Sequence, residues 1–291
     1  MLPDHEIRKL VRGLKEEIGL GEDDLVADID SLIKLAGYNL EESHFRDSFS
    51  AASISRAPGK FLILYNKNHH WSEKFRRFTL AHELGHLTIP SHRALLVANV
   101  IQSSSPEYTS LEATEREADK FAINFLAPRS AFKKEMITLG YSREDIMSLS
   151  DTFQISAYAT AHRFVELAVD FPCSLIACHK NGNIEYEIRS IGMKNLVRGH
   201  RSLNSLPVNS STLANEFIRG VNDTVTIQLS LSEWYQDLEV EIRAKESVID
   251  LGYNQLYLAL IEPFSMDLPN EDDQGPQDRL PSERWKDSYK Y

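Results

Sequence analysis

Apolar residues recur at three- and four-residue intervals at Ile7, Leu10, Val11, Leu14 and Ile18, predicting an amphipathic helix over residues 5–19 that stops at Gly19 and Gly21. A second helix is expected from about Leu25 to Leu35, ending at Gly37. In FSAASISRAPGKFLILYN the pattern gives two short strands around a Pro-Gly turn, and FLILY is apolar enough to be buried on both faces. The polar loop KNHHWSE then leads into a third helix containing FTLAHELGHLTIP, residues 78–90. After His92 the run QSSSPEYTS reads as a loop. TEREADKFAINFLAP returns to helical spacing through Ala118, Phe121, Ala122 and Phe125 until Pro128 stops it.

SREDIMSLSDTFQISAYATAHRFVELA predicts two short helices around a tight turn. Ile146 and Leu149 face inward in the first, Ser156 caps the second, and Ala159, Phe164 and Leu167 pack back, a helix-turn-helix signature. Beyond it the period changes to two. CSLIACHKNGNIEYEIRS is a hairpin around Asn181 and Gly182, followed by a helix near TLANEFIRG and strands in TVTIQLS, LEVEIRA and YLALIEP. From about Ser265 the chain is rich in Pro, Asp, Glu and Gln and is expected to be a disordered acidic tail. The resulting partition of this α+β chain is 1–140, 141–170 for the helix-turn-helix, 171–264 for a small mixed α/β domain, and 265–291 for the tail.

At 291 residues and 42% hydrophobic content the chain can bury a substantial core, as a soluble protein of two or three small domains. A formal net charge of -11 makes nucleic acid a poor default partner, since no basic cluster is evident to offset repulsion from phosphates. Cys173 and Cys178 are too few for a thiolate metal cage, and their odd spacing along a strand argues against a disulfide. With no signal-like N-terminus and no segment of membrane-spanning length, a cytoplasmic location is expected.

His82, Glu83 and His86 stand inside an apolar helix, flanked by Phe78, Leu80, Ala81, Leu84 and Leu87. Unpaired polar groups buried there would cost several kcal/mol, roughly, so chance occurrence is the weaker reading. Residues four apart share a helix face, so two imidazoles can meet one metal ion, while Glu83 is rotated toward an ion-held water as general base; this is HExxH. Zinc would lower the pKa of that water to roughly 7 and polarise a peptide carbonyl. A third ligand is needed downstream. Glu115 is assigned because it lies on the line of Ala118, Ala122 and Phe125 that packs inward, with Asp119 one turn on, accepting the other ring N–H of a ligand histidine. Glu117 is the alternative third ligand and Glu112 a weaker one. His69, His70, His92, Tyr65 and Tyr108 are candidates to stabilise an oxyanion, and Arg76 and Arg77 to contact a substrate backbone, although ordinary loop and surface roles explain each as well. His, His and Glu suit Zn2+ first, with Mn2+ or Fe2+ as alternatives.

RRFTLAHELGHL, then EREADKFAINFLAP, then the helix-turn-helix closely resembles the ImmA/IrrE family of bacterial metallopeptidases over about the first 170 residues. The resemblance implies a minimal thermolysin-like zincin domain that cleaves a helix-turn-helix transcriptional repressor and so switches on stress-response or mobile-element genes. It implies His82 and His86 as ligands, Glu83 as base and Glu115 as third ligand. Asp119 stands where the family more often has asparagine. The C-terminal domain is similar in outline to the GAF- or PAS-like module of longer members, for which small-molecule sensing and a structural or dimerising role both stand. Two rivals remain at this point: a DNA-binding regulator acting through the helix-turn-helix, and a non-catalytic, antitoxin-like binding protein. Intact Glu83 speaks against the latter, because a structural metal site has no use for a base.

Overall fold

The computed structural model describes residues 1–45, 49–57, 59–68, 72–98, 102–104 (backbone), 113–220, 225–236, 238, 241–252 and 255–264. Glu112, His69, His70, Tyr108, Pro58 and the expected tail lie outside them. The chain divides into two compact units: residues 1–132 with 153–156, and residues 133–152 with 157–291. The helix-turn-helix segments are thus grouped mainly with the C-terminal sheet.

In the first unit, α1 (Asp4–Glu17) buries Ile7, Val11 and Leu14 and packs on α5 (Ala113–Leu126). The second helix is shorter than expected: α2 (Ile29–Leu35) starts where Asp28 accepts the N–H groups of Asp30 and Ser31, and Gly37, at φ 82°, follows its end. The two expected strands form as β2 (Ala51–Ala57) and β3 (Lys60–Asn66), antiparallel, with Phe61, Leu62 and Ile63 buried.

Three elements here went unseen in the apolar pattern. β1 (Asn39–Ser43), NLEES, pairs parallel with β3. The helix α4 (Pro90–Val97) begins with a proline at its first turn, where the missing N–H has no helical partner in any case. Residues Gln102–Ser104, expected as loop, form β4 against β2, giving the order β1-β3-β2-β4. A serine-rich edge strand needs only backbone hydrogen bonds, so its side chains do not announce it.

Between these layers runs α3 (Glu73–Thr88), capped by Ser72 accepting from Phe75 N–H and buried from Arg77 to Leu87. It packs against α5 on one side and β2 and β3 on the other.

After Pro128 comes α6 (Arg129–Met136); then, in the second unit, α7 (Arg143–Phe153) and α8 (Ala157–Leu167) bury Ile146, Leu149, Ala159, Phe164 and Leu167 as expected, with Gln154 in the turn at φ 51°. The hairpin appears as β5 (Ser174–His179) and β6 (Ile184–Arg189), with Gly182 at φ 91°. An unexpected helix α9 (Ile191–Leu196), capped by Ser190, follows, and α10 (Leu213–Ile218) lies where expected.

The strand placed at LEVEIRA instead runs later, as β8 (Arg243–Asp250), between β7 (Thr226–Ser230) and β9 (Leu256–Phe264). Its charges disguised it: Glu246 is wholly buried, its carboxyl accepting the N–H groups of Leu213 and Ala214 at 3.0 and 2.9 Å. The sheet is antiparallel throughout, in the order β6-β5-β9-β8-β7. Cys173 and Cys178 are buried free thiols.

Candidate metal centre

Two helices bring the candidate ligands together. On α3, one turn separates His82 from His86, and their Nε2 atoms lie 3.0 Å apart. On α5, Glu115 reaches across: Oε2 is 3.1 Å from His82 Nε2 and Oε1 is 3.4 Å from His86 Nε2. Among the described residues, these three form the group whose donor atoms could hold one metal ion, all within 4.8 Å of one another.

The donor set fits such an ion on its chemistry. Two imidazoles and a carboxylate are a recognised ligand set for catalytic zinc, each sitting about 2 Å from the ion and leaving a position for water. The side chains are 7, 1 and 15% exposed, so an ion here would be largely shielded from solvent while still reachable.

The surroundings fix the ligand geometry. Asp119 Oδ1 lies 2.8 Å from His82 Nδ1, the nitrogen facing away from the cluster. An acceptor there selects the tautomer whose Nε2 lone pair points at the ion. Burial by itself would lower the His82 pKa, but the hydrogen bonds to Asp119 and Glu115 outweigh it and raise it. Glu115 moves the opposite way: burial would raise its pKa, and the two histidines hold it well below the usual carboxylate range.

Glu83 is fully buried and stands beside the donor cluster rather than in it. Its Oε2 accepts a hydrogen bond from Ser53 Oγ on β2 at 2.6 Å. Sequence reasoning missed Ser53, since nothing in SAASIS indicates which strand residue faces a helix some thirty positions away.

Other candidates have different duties. Glu117 does not join the cluster; it is buried, with Oε2 3.0 Å from His92 Nε2 and Oε1 accepting the Leu2 N–H at 2.6 Å. Helix geometry separates it from Glu115 by two residues, which puts it on another face. His92 is fully buried, and burial first, then the charge of His86, lowers its pKa against the pull of Glu117. Tyr65 is buried with the Arg76 guanidinium 5.6 Å over its ring.

The arginines are structural. Arg76 pairs with Asp30 at 2.7 Å, with Glu42, and with Glu73 at 3.2 Å. Arg77 donates to the carbonyls of Val26 at 2.6 Å, Ala27 at 3.0 Å and Gln154 at 3.3 Å. In α8, Arg163 is 1% exposed and bonded to Glu166 at 2.9 Å, and His162 lies 3.0 Å from the Tyr186 hydroxyl.

With this geometry in hand, residues 34–165 match the peptidase family M78, described as the IrrE N-terminal-like domain. A solved structure, a Mycobacterium tuberculosis transcriptional regulator, resembles the chain with a TM-score of 0.53 at 18% identity, covering 89% of this chain and 76% of that one. At that identity the likeness concerns the fold. No curated protein matches the sequence. No helix among the described residues is long and apolar enough to cross a membrane.

Proposed function

We propose that this chain, whose residues 34–165 match the IrrE N-terminal-like domain, is a cytoplasmic, metal-dependent endopeptidase of narrow specificity acting on a helix-turn-helix repressor. The observation that carries the reading is the convergence of His82, His86 and Glu115 beside a buried glutamate whose carboxylate is held by Ser53. A purely structural metal site has no need of a base beside its ligands.

An ion held by those donors, with zinc the first choice, supplies Lewis acidity and a nucleophilic water near neutral pH. The chain supplies the rest. Asp119 orients His82, and the Glu83 carboxylate would accept the proton of the attacking water and return it to the departing amine nitrogen. Ser53 keeps that carboxylate turned to one side, so it works on the water without becoming a ligand.

The C-terminal unit supports reading it as the GAF-like module of longer members, by its helix-flanked antiparallel sheet and by a cleft of about 1220 Å³ lined in part by Arg198, His200, Arg201 and Trp234. A small molecule bound there is the natural candidate for an activating signal.

The test is an intact-mass assay of the repressor encoded nearest to this protein, incubated with the wild type and with Glu83→Gln, with and without zinc. Two fragments are expected with zinc-loaded wild type alone. Equal cleavage by Glu83→Gln would sink the mechanism.

The rival, a DNA-binding regulator, draws on the helix-turn-helix and on the similar solved structure, which is that of a transcriptional regulator. The inward engagement of Arg163 and His162 leaves its second helix short of groups for phosphates, which weighs against it. A salt-dependent gel shift at submicromolar protein would revive it.

A further inference from the structure

His92 and Glu117 form a buried pair beside the donor cluster that the proposed chemistry does not use. His92 Nε2 lies 3.0 Å from Glu117 Oε2, and Glu117 Oε1 takes the Leu2 N–H at 2.6 Å. On the other side, His92 Nδ1 is buried without a hydrogen-bond partner, and so is His86 Nδ1. The two rings are neighbours, with centroids 5.0 Å apart and planes at 40°. Two orphaned nitrogens on neighbouring buried rings are costly unless something satisfies them.

Their tautomers make them complementary. Glu117, accepting at Oε1 as well, acts as a carboxylate toward His92, so His92 Nε2 carries the hydrogen and the lone pair of the neutral ring is on Nδ1. His86 turns Nε2 toward the cluster, 3.0 Å from His82 Nε2, so a ring that gives that nitrogen to an ion carries its hydrogen on Nδ1. One nitrogen accepts and the other donates.

We propose that His92 is the positioning residue of His86: Glu117 fixes the ring and tautomer of His92, and His92 Nδ1 receives the Nδ1–H of His86 through one buried water. Each histidine of the HExxH pair then has a carboxylate behind it, Asp119 behind His82 in one step and Glu117 behind His86 in two. Packing alone does not account for the pair, because a buried imidazole and carboxylate are harder to accommodate than an apolar ring of the same size. The inference rests on reading His82, His86 and Glu115 as a metal centre.

The test measures zinc affinity of the full chain by chelator competition for the wild type, His92→Phe and His92→Asn, with the melting temperature of each metal-free protein as the folding control. Both variants lose the Glu117 contact, but only the asparagine places an amide oxygen near the former Nδ1 position. Zinc binding about 10- to 100-fold weaker in His92→Phe, largely recovered in His92→Asn, is expected. Nitrogen-15 spectra of the zinc-loaded wild type should show His86 protonated at Nδ1 and His92 at Nε2 alone. Unchanged zinc affinity in His92→Phe, or His92 protonated at Nδ1, overturns the inference; should His92→Phe fail to fold, the wild-type tautomers decide it. Wild type that takes up no zinc overturns the metal-centre reading itself, which distinguishes the two failures.

Discussion

Gly85 of α3 lies directly against Phe121 of α5: a Cβ at position 85 would lie 3.0 Å from the Phe121 Cβ and 3.1 Å from its ring. That contact lies between the two histidines in sequence and about one and two-thirds turns beyond Glu115, so it bears on how far the carboxylate must reach. Glycine in mid-helix costs about 1 kcal/mol relative to alanine, and close packing is the return for it.

Gly85→Ala therefore sets two effects against each other. Better helix propensity contributes up to about 1 kcal/mol, while overpacking costs roughly 1–3 kcal/mol, and the fully buried Phe121 has little room to yield. A net loss of about 1–2 kcal/mol is expected by denaturant unfolding, together with weaker zinc binding as the helices separate. A stabilised variant with unchanged zinc affinity would show that the helices can spread without consequence.

Ser53→Ala removes the hydroxyl that holds Glu83 Oε2 at 2.6 Å. General-base catalysis is worth roughly 10²–10⁴-fold, and a loosened base forfeits part of it. With a cleavable substrate, kcat should fall about tenfold while KM and zinc stoichiometry stay near wild type. A change in KM alone would assign Ser53 to substrate binding instead.

At Asp119 the acceptor matters more than the charge. Asp119→Ala removes the partner of His82 Nδ1, and zinc affinity should drop about 10- to 100-fold. Asp119→Asn can still accept through its amide oxygen and should lose much less. Equal losses in the two variants would mean that the charge, not the hydrogen bond, supports the site.

Glu246 gives the C-terminal unit a pH dependence of unusual sign. Burial raises its pKa from 4.5 to about 7, opposed by the N–H groups of Ala214 and Leu213. Between those values the folded chain keeps a proton that the unfolded chain has released, so stability falls as pH rises through about 4.5 to 7. The penalty is absent below that window and complete above it, at about 3 kcal/mol in order of magnitude for the shift from 4.5 to about 7. Glu246→Gln should flatten this decline when unfolding is followed at about pH 5 and about pH 8. Parallel wild-type and variant curves would show that Glu246 ionises without strain.

The sequence by itself determined the parts governed by local periodicity. HELGH at helical spacing puts two imidazoles one turn apart, and the inward line through Ala118, Ala122 and Phe125 favoured Glu115 while leaving Glu117 as an alternative; both follow from 3.6 residues per turn and need no partner. The same rule found α1, α7 and α8. Only the tertiary structure decided the rest. Ser53 beneath Glu83, His92 between Glu117 and His86, and Glu246 against the start of α10 are pairings across 25 to 33 positions of chain. β1 and β4 pair with strands far along the chain, and no run of apolar residues in their own sequence marks either. A hydrogen bond between distant segments depends on where packing brings them, and no local pattern of apolar and polar residues encodes that distance.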